Sequence, residues 1–160
     1  NLLISTYSDG TAQVALDALQ VPEDIHPHHL CATFHSYDPY WFCNGNHHHE
    51  GESASTKKEI DENEKYYIYD FDDTQKAVIY DIFTRADKRC SDLGIPYFFG
   101  EFGAIGDHPE MTERVKYATY FMELCNEKKT AGLWWSGLLD RSTQTWTEED
   151  IIDALAATRK

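Results

Sequence analysis

The sequence predicts an α/β fold in which helices cover a parallel sheet. Four short apolar runs alternate with four segments of helical periodicity, and parallel neighbours need crossovers of about this length. With 160 residues, 41% hydrophobic and 26% charged, the chain can build one compact core and is read as one domain over residues 1–160.

The first run, Leu2 to Tyr7, breaks at Ser8-Asp9-Gly10, after which Ala12, Ala15, Leu16 and Leu19 recur at helical spacing until Val21-Pro22. The second strand, His29 to His35, carries Leu30, Ala32 and Phe34 on one face. A long insertion follows from Ser36 to Asp73, with a His47-His48-His49 triplet and an acid run over Glu59 to Glu64. Connections of this length are usually functional loops. Asp73 then N-caps a helix whose stripe is Ala77, Val78, Ile82, Ala86, Cys90 and Leu93, with Arg85, Lys88 and Arg89 toward its end and Gly94 as the stop. Ile95 to Phe102 is the third strand, and Thr112 to Lys128 is a helix facing inward through Val115, Ala118, Met122 and Cys125. Ala131 to Trp135 is the fourth strand, and Thr147-Glu148-Glu149-Asp150 reads as a capping box for a last helix to Ala157. A complete (β/α)8 barrel requires on the order of 250 residues, so four βα units amount to part of one at most.

The charge excludes some partners. Fourteen Lys and Arg against 28 Asp and Glu leave −14, a field that repels nucleic-acid phosphates and anionic membrane surfaces. No apolar run approaches the ~18 residues of a membrane span, and the opening residues Asn1-Leu2-Leu3-Ile4 show neither a basic n-region nor a small-residue cleavage site. An uncharged ligand such as a sugar asks only for hydrogen bonds and flat apolar faces, which 14% aromatic content supplies. Four cysteines without a CxxC pair indicate neither a zinc knuckle nor a disulfide scaffold, and three are read as buried thiols. The His47–His49 triplet cannot chelate one ion from an extended segment, so it and the acid run are read as solvated loop, and no metal or cofactor is expected.

Ligands of parallel α/β folds gather beyond the carboxyl ends of the strands. There the second strand gives Phe34-His35-Ser36-Tyr37-Asp38-Pro39-Tyr40-Trp41, the third Phe99-Gly100-Glu101-Phe102-Gly103-Ala104, and the fourth Gly132-Leu133-Trp134-Trp135-Ser136-Gly137. Glu101, flanked by Gly100 and Gly103, is either a functional carboxylate that other backbone approaches closely or a turn acid paired with an Arg. His35 and Tyr37, two apart, project to one side of a strand; they reach a common site or are a core histidine and a surface tyrosine. Of Trp134 and Trp135, alternation sends one under the helices and the other to the site.

At these residues the chain resembles the C-terminal half of a cellulase-type enzyme of glycoside hydrolase family five, a retaining (β/α)8-barrel family, over nearly its whole length. Leu2 to Tyr7 resembles barrel strand five, His35 to Tyr40 strand six, Ile95 to Gly103 strand seven and Ala131 to Trp135 strand eight. The resemblance implies an endo-β-1,4-glucanase acting on cellulose, xyloglucan or mixed-linkage glucan. It makes Glu101 the nucleophile and His35 and Tyr37 the pair that bonds substrate and nucleophile. It gives Trp135 the stacking position under the sugar, with Trp41 and Tyr40 shaping substrate choice. Many relatives read Trp-Asp-Asn where this chain has Trp135-Ser136-Gly137. The family's acid/base Glu lies in an Asn-Glu-Pro motif at the end of strand four; the pairs here, Asn63-Glu64 and Asn126-Glu127, are each followed by Lys. The expectation is therefore a chain inactive alone, completed by an N-terminal half-barrel or a second copy, and secreted because polymeric glucans stay outside cells. A non-catalytic carbohydrate-binding module and a mannanase are the alternatives.

Overall fold

A computed structural model describes residues 1–25, 27–44, 66–104, 109–135 and 137–158. Four parallel strands lie in chain order, β1 (Leu2–Ser5), β2 (Leu30–Ser36), β3 (Tyr97–Phe102) and β4 (Gly132–Trp134). Between and after them run α1 (Gln13–Ala18), the short α2 (Tyr40–Cys43), α3 (Asp73–Leu93), α4 (Met111–Lys128) and α5 (Glu149–Ala157). The expected βα alternation is present, with one addition. A two-stranded antiparallel ribbon, β5 (Leu139–Asp140) and β6 (Thr145–Trp146), stands between β4 and α5.

Strict alternation governs β2. Leu30, Ala32, Phe34 and Ser36 are buried under the helices, while Cys31, Thr33 and His35 face the other way. The helix-side core is aromatic: Phe102 stacks on Phe121 at 4.0 Å and 7°, and Phe83 lies 4.6 Å from Phe99 and 4.8 Å from Phe121. Each such pair adds about 0.5–1.5 kcal/mol beyond the area it buries.

Four local expectations are corrected. The N-cap of α3 is Asp72 rather than Asp73: its side chain accepts from Thr74 N, and Asp72 N donates to Gln75 Oε1, closing a capping box. Its buried stripe is Gln75, Ile79, Ile82, Phe83, Ala86 and Cys90, leaving Ala77 and Val78 exposed, because a helix turned to bury Ile79 and Phe83 removes more apolar area from water. Likewise α4 buries Tyr117, Phe121 and Leu124 together with Ala118 and Cys125, while Val115 and Met122 are only half-buried. At α5, Thr147 is not a cap; its hydroxyl donates to Gly137 O at 2.8 Å, closing the ribbon, and Glu148 holds the N-cap position without a side-chain cap bond. Glu148 pairs instead with buried Arg114 at 2.8 Å, and Arg114 also donates to Ala104 O at 2.8 Å, tying α4 to the segment leaving β3.

Among the described residues the opposite sheet face has no such cover. Leu3, in register with Cys31, and Leu133, which alternates with the packed Trp134, are both more than half exposed. Parallel sheets are as a rule buried on both faces, and among the described residues β1 and β4 each have one strand neighbour.

Candidate active site

The carboxyl ends of β2 and β3 meet through an irregularity. Phe34 pairs with Phe99 but His35 pairs with Glu101, so β3 carries one extra residue, Gly100. The bulge turns Gly100 and Glu101 both toward the open face and returns Phe102 to the helix-side core. Only glycine fits there: a Cβ on Gly100 would lie 2.6 Å from Thr33 Oγ1 and 3.5 Å from His35 Nε2.

Glu101 is held from β2. Tyr37 Oη donates to Glu101 Oε2 at 2.8 Å, and His35 Nδ1 stands 3.3 Å from the same oxygen. Burial above all, then the bond to Glu101 and its negative charge, push the Tyr37 hydroxyl well above the ordinary tyrosine value, so it remains a donor. Asn44 Nδ2 donates to Tyr37 O at 3.3 Å, securing the backbone just before the cis Asp38–Pro39 peptide. Beside it, burial raises the Asp38 carboxyl, with Arg85 opposing. Both contacts to Glu101 fall on Oε2; among the described residues no hydrogen bond reaches Oε1.

Trp135 sits against the same turn. Its N–H donates to Phe102 O at 2.8 Å, and a Cβ on Gly103 would lie 2.6 Å from its carbonyl oxygen. Trp134 packs edge-on against Phe102 at 5.4 Å, whereas Trp135 is 54% exposed. The structure thus separates the pair as alternation requires and brings Glu101, His35, Tyr37 and Trp135 to one end of the sheet.

Tyr40 and Trp41 lie on α2, just past the Tyr37 turn. Trp41 is enclosed by its neighbours: Tyr66 stacks on it at 5.5 Å, with Tyr40 and Tyr67 edge-on at 5.1 and 5.6 Å. Tyr40 and Tyr66 are the exposed members. Sequence reasoning missed Tyr66; the only signal is the aromatic pair Tyr66-Tyr67 where the insertion turns apolar.

Cys43, Cys90 and Cys125 are buried and Cys31 is half-buried, all unpaired, and burial pushes Cys90 and Cys125 up to about 12. Asn126-Glu127 lies at the far end of α4, with Asn126 bonded to Thr158 O and Glu127 to Lys128. The His47–His49 triplet, the Glu59–Glu64 run, Asn63-Glu64 and Ser136 lie outside the described residues. Among the described residues no group of three His, Cys, Asp or Glu is placed to hold a metal.

A sequence model of the family described as Cellulase (glycosyl hydrolase family 5) matches residues 1–138. Endoglucanase A of Ruminococcus albus is 22% identical over 173 residues, covering 99% of this chain and 42% of its own length. Among solved structures, a GH5 family lichenase from Caldicellulosiruptor sp. F32 superposes with a TM-score of 0.79 at 22% identity, covering 99% of this chain and 43% of that one. A family 5 enzyme from Prevotella bryantii B14, solved as a mutant with a xyloglucan tetradecasaccharide, superposes at 0.76 and 22% identity, covering 99% and 42%. The chain therefore spans less than half the length of the curated relatives it matches, and its four βα units correspond to part of a (β/α)8 barrel.

Proposed function

The chain belongs to glycosyl hydrolase family 5, and from that premise we propose that it carries the nucleophile side of a retaining endo-β-1,4-glucanase site. The observation that supports this most is the Glu101 carboxylate, fixed through Oε2 by Tyr37 and His35 with Oε1 free of hydrogen bonds among the described residues. In a retaining glycosidase one carboxylate attacks the anomeric carbon while a carboxylic acid about 5–5.5 Å away protonates the departing glycosidic oxygen. Glu101 Oε1 forms the new C–O bond, the old one breaks, and the electron pair leaves with the oxygen that takes the proton. Water, deprotonated by the same second carboxylate, then displaces Glu101. Tyr37, kept protonated, holds the carboxylate in line during attack and stabilises it as it departs. Trp135 supplies a flat apolar face for the reacting sugar.

The acid/base is supplied in this reading by a complementary half-barrel that covers the open face and pairs with the edges at β1 and β4. The groups bonding Glu101 among the described residues are a phenol and an imidazole, neither a carboxylic acid. Cellulose, xyloglucan and mixed-linkage glucan are the substrates this reading admits; the xyloglucan in the Prevotella bryantii structure supports that class. Acting on polymers that stay outside cells, the enzyme is proposed to work there. The experiment is Glu101→Gln in the completed barrel: turnover of soluble β-1,4-glucan is abolished and glucan binding kept, whereas an unchanged rate rejects the nucleophile. Robust hydrolysis by the 160-residue chain alone rejects the divided acid and base.

A further inference from the structure

The β5–β6 ribbon joins the carboxyl end of β4 to the start of α5, which places it at the end of the sheet that carries Glu101, His35 and Tyr37. It is built to be stiff. Asp140 Oδ1 accepts from Ser142 N at 2.7 Å, Ser142 Oγ at 2.6 Å and Thr143 N at 3.3 Å, and Gln144 N returns to Asp140 O at 2.8 Å. Its base is closed by Thr147, whose N–H donates to Leu138 O and whose hydroxyl donates to Gly137 O, both at 2.8 Å.

This ordered ribbon presents Trp146, 56% exposed, opposite Leu139, itself 41% exposed. No aromatic ring among the described residues packs on Trp146. Tryptophan is highly buried on average, and a rigid aromatic left in water beside a site marks a contact surface. Chain length limits its separation from Trp135: four residues of extended chain span at most about 14 Å from Trp135 to Leu139, and a cross-strand pair adds about 5 Å. Within that reach, a short oligosaccharide whose reacting sugar lies over Trp135 can meet Trp146. The net charge of −14 disfavours an anionic occupant.

Resting on the glucan reading above, we propose that Trp146 on the β5–β6 ribbon is a second stacking platform, holding a hexose of the β-1,4-linked chain several units from the bond at Glu101. The inference is tested by titrating cellotriose and cellohexaose into the full chain and its variants by calorimetry. Trp146→Ala weakens cellohexaose by at least about tenfold and leaves cellotriose within twofold; Trp146→Phe keeps most of the affinity. In the unaltered chain, cellohexaose but not cellotriose shields Trp146 from hydroxyl-radical labelling, a readout independent of how any variant folds. Cellohexaose binding with Trp146 unprotected, or unchanged in Trp146→Ala, overturns the platform and leaves the glucan reading standing. An unaltered chain that binds neither sugar overturns this inference, because both platforms lie within the chain, whereas the glucan reading is decided separately by Glu101→Gln in the completed barrel.

Discussion

Replacing Gly103 with Ala tests how the turn after Glu101 is held against Trp135. The added Cβ would lie 2.6 Å from Trp135 O, where a relaxed carbon contact needs about 3.5 Å or more, so roughly 1 Å of separation must be found. The obstacle is backbone, and it is anchored: Trp135 N donates to Phe102 O at 2.8 Å one residue away. Overpacking of this kind costs about 1–3 kcal/mol, and stretching that hydrogen bond adds about 0.5–1.5 kcal/mol. The sum, about 2–4 kcal/mol, divided by a urea m-value of about 2 kcal/mol/M, lowers the unfolding midpoint by about 1–2 M. Gly137→Ala is the control, since nothing lies within 4 Å of its Cβ position, and it stays within about 0.5 kcal/mol of the parent. A Gly103→Ala midpoint indistinguishable from that control refutes the reasoning, because it shows that the Trp135 carbonyl retreats without cost.

Three further outcomes are expected. Tyr37→Phe removes the 2.8 Å bond to Glu101, worth about 1.5–3 kcal/mol to a charged acceptor, and lowers kcat/KM of the completed barrel on soluble glucan by about 10–100-fold; a loss under twofold contradicts the role given to that hydroxyl. Arg114→Met strips Glu148 of its partner and leaves Ala104 O unbonded, costing about 3–5 kcal/mol in chemical denaturation, while Glu148→Gln, which retains an acceptor, costs clearly less; equal losses argue against the ion pair. Hydrogen bonds from Ser142 and Thr143 hold the Asp140 carboxyl down to about 2. Its folded value is below the unfolded one of about 3.9, so the ribbon gains stability above about pH 4 and loses it as pH falls through 2. The Ser142 and Thr143 amide resonances report this, and Asp140→Asn flattens their pH response.

The order of elements was legible because apolar runs and helical periods alternate without ambiguity, and because Gly94, in the left-handed conformation at φ 68°, ends its helix as sequence indicates. Helix phase was less so. Ala77, Val78 and Ile82 fit a stripe as well as Ile79, Ile82 and Phe83 do, and the choice between them is made by the partners Phe99 and Phe121, which no local window contains. The ribbon escaped for a related reason. Each strand is two residues long, and what defines it is the Asx turn at Asp140 and the Thr147 closure rather than any apolar period. The same hydroxyl mimicked a helix cap, a rival hydrogen bond that Thr offers wherever an acceptor is near.

The position of Glu101 shows why the site itself needed more than periodicity. Counting from buried Phe99 with a period of two sends Gly100 outward, Glu101 under the helices and Phe102 into the open face. That register would bury an unpaired carboxylate among Phe83, Phe121 and Tyr117 and expose a phenylalanine, a cost of several kcal/mol. The extra residue at Gly100 reverses both placements at once: Phe102 stacks on Phe121 and Glu101 meets Tyr37 and His35. A bulge leaves unpaired backbone and demands a residue without a side chain where Thr33 and His35 press in. Glycine beside the acid was therefore a legible sign that the backbone is special there, and the direction of the carboxylate follows only when the pairing with β2 is known. Gly100→Ala would force the strand to choose between the Thr33 contact and the bulge. If the register relaxed toward strict alternation, Glu101 would leave Tyr37 and turn toward the helices, so the glycine helps to set which face of the sheet holds the carboxylate.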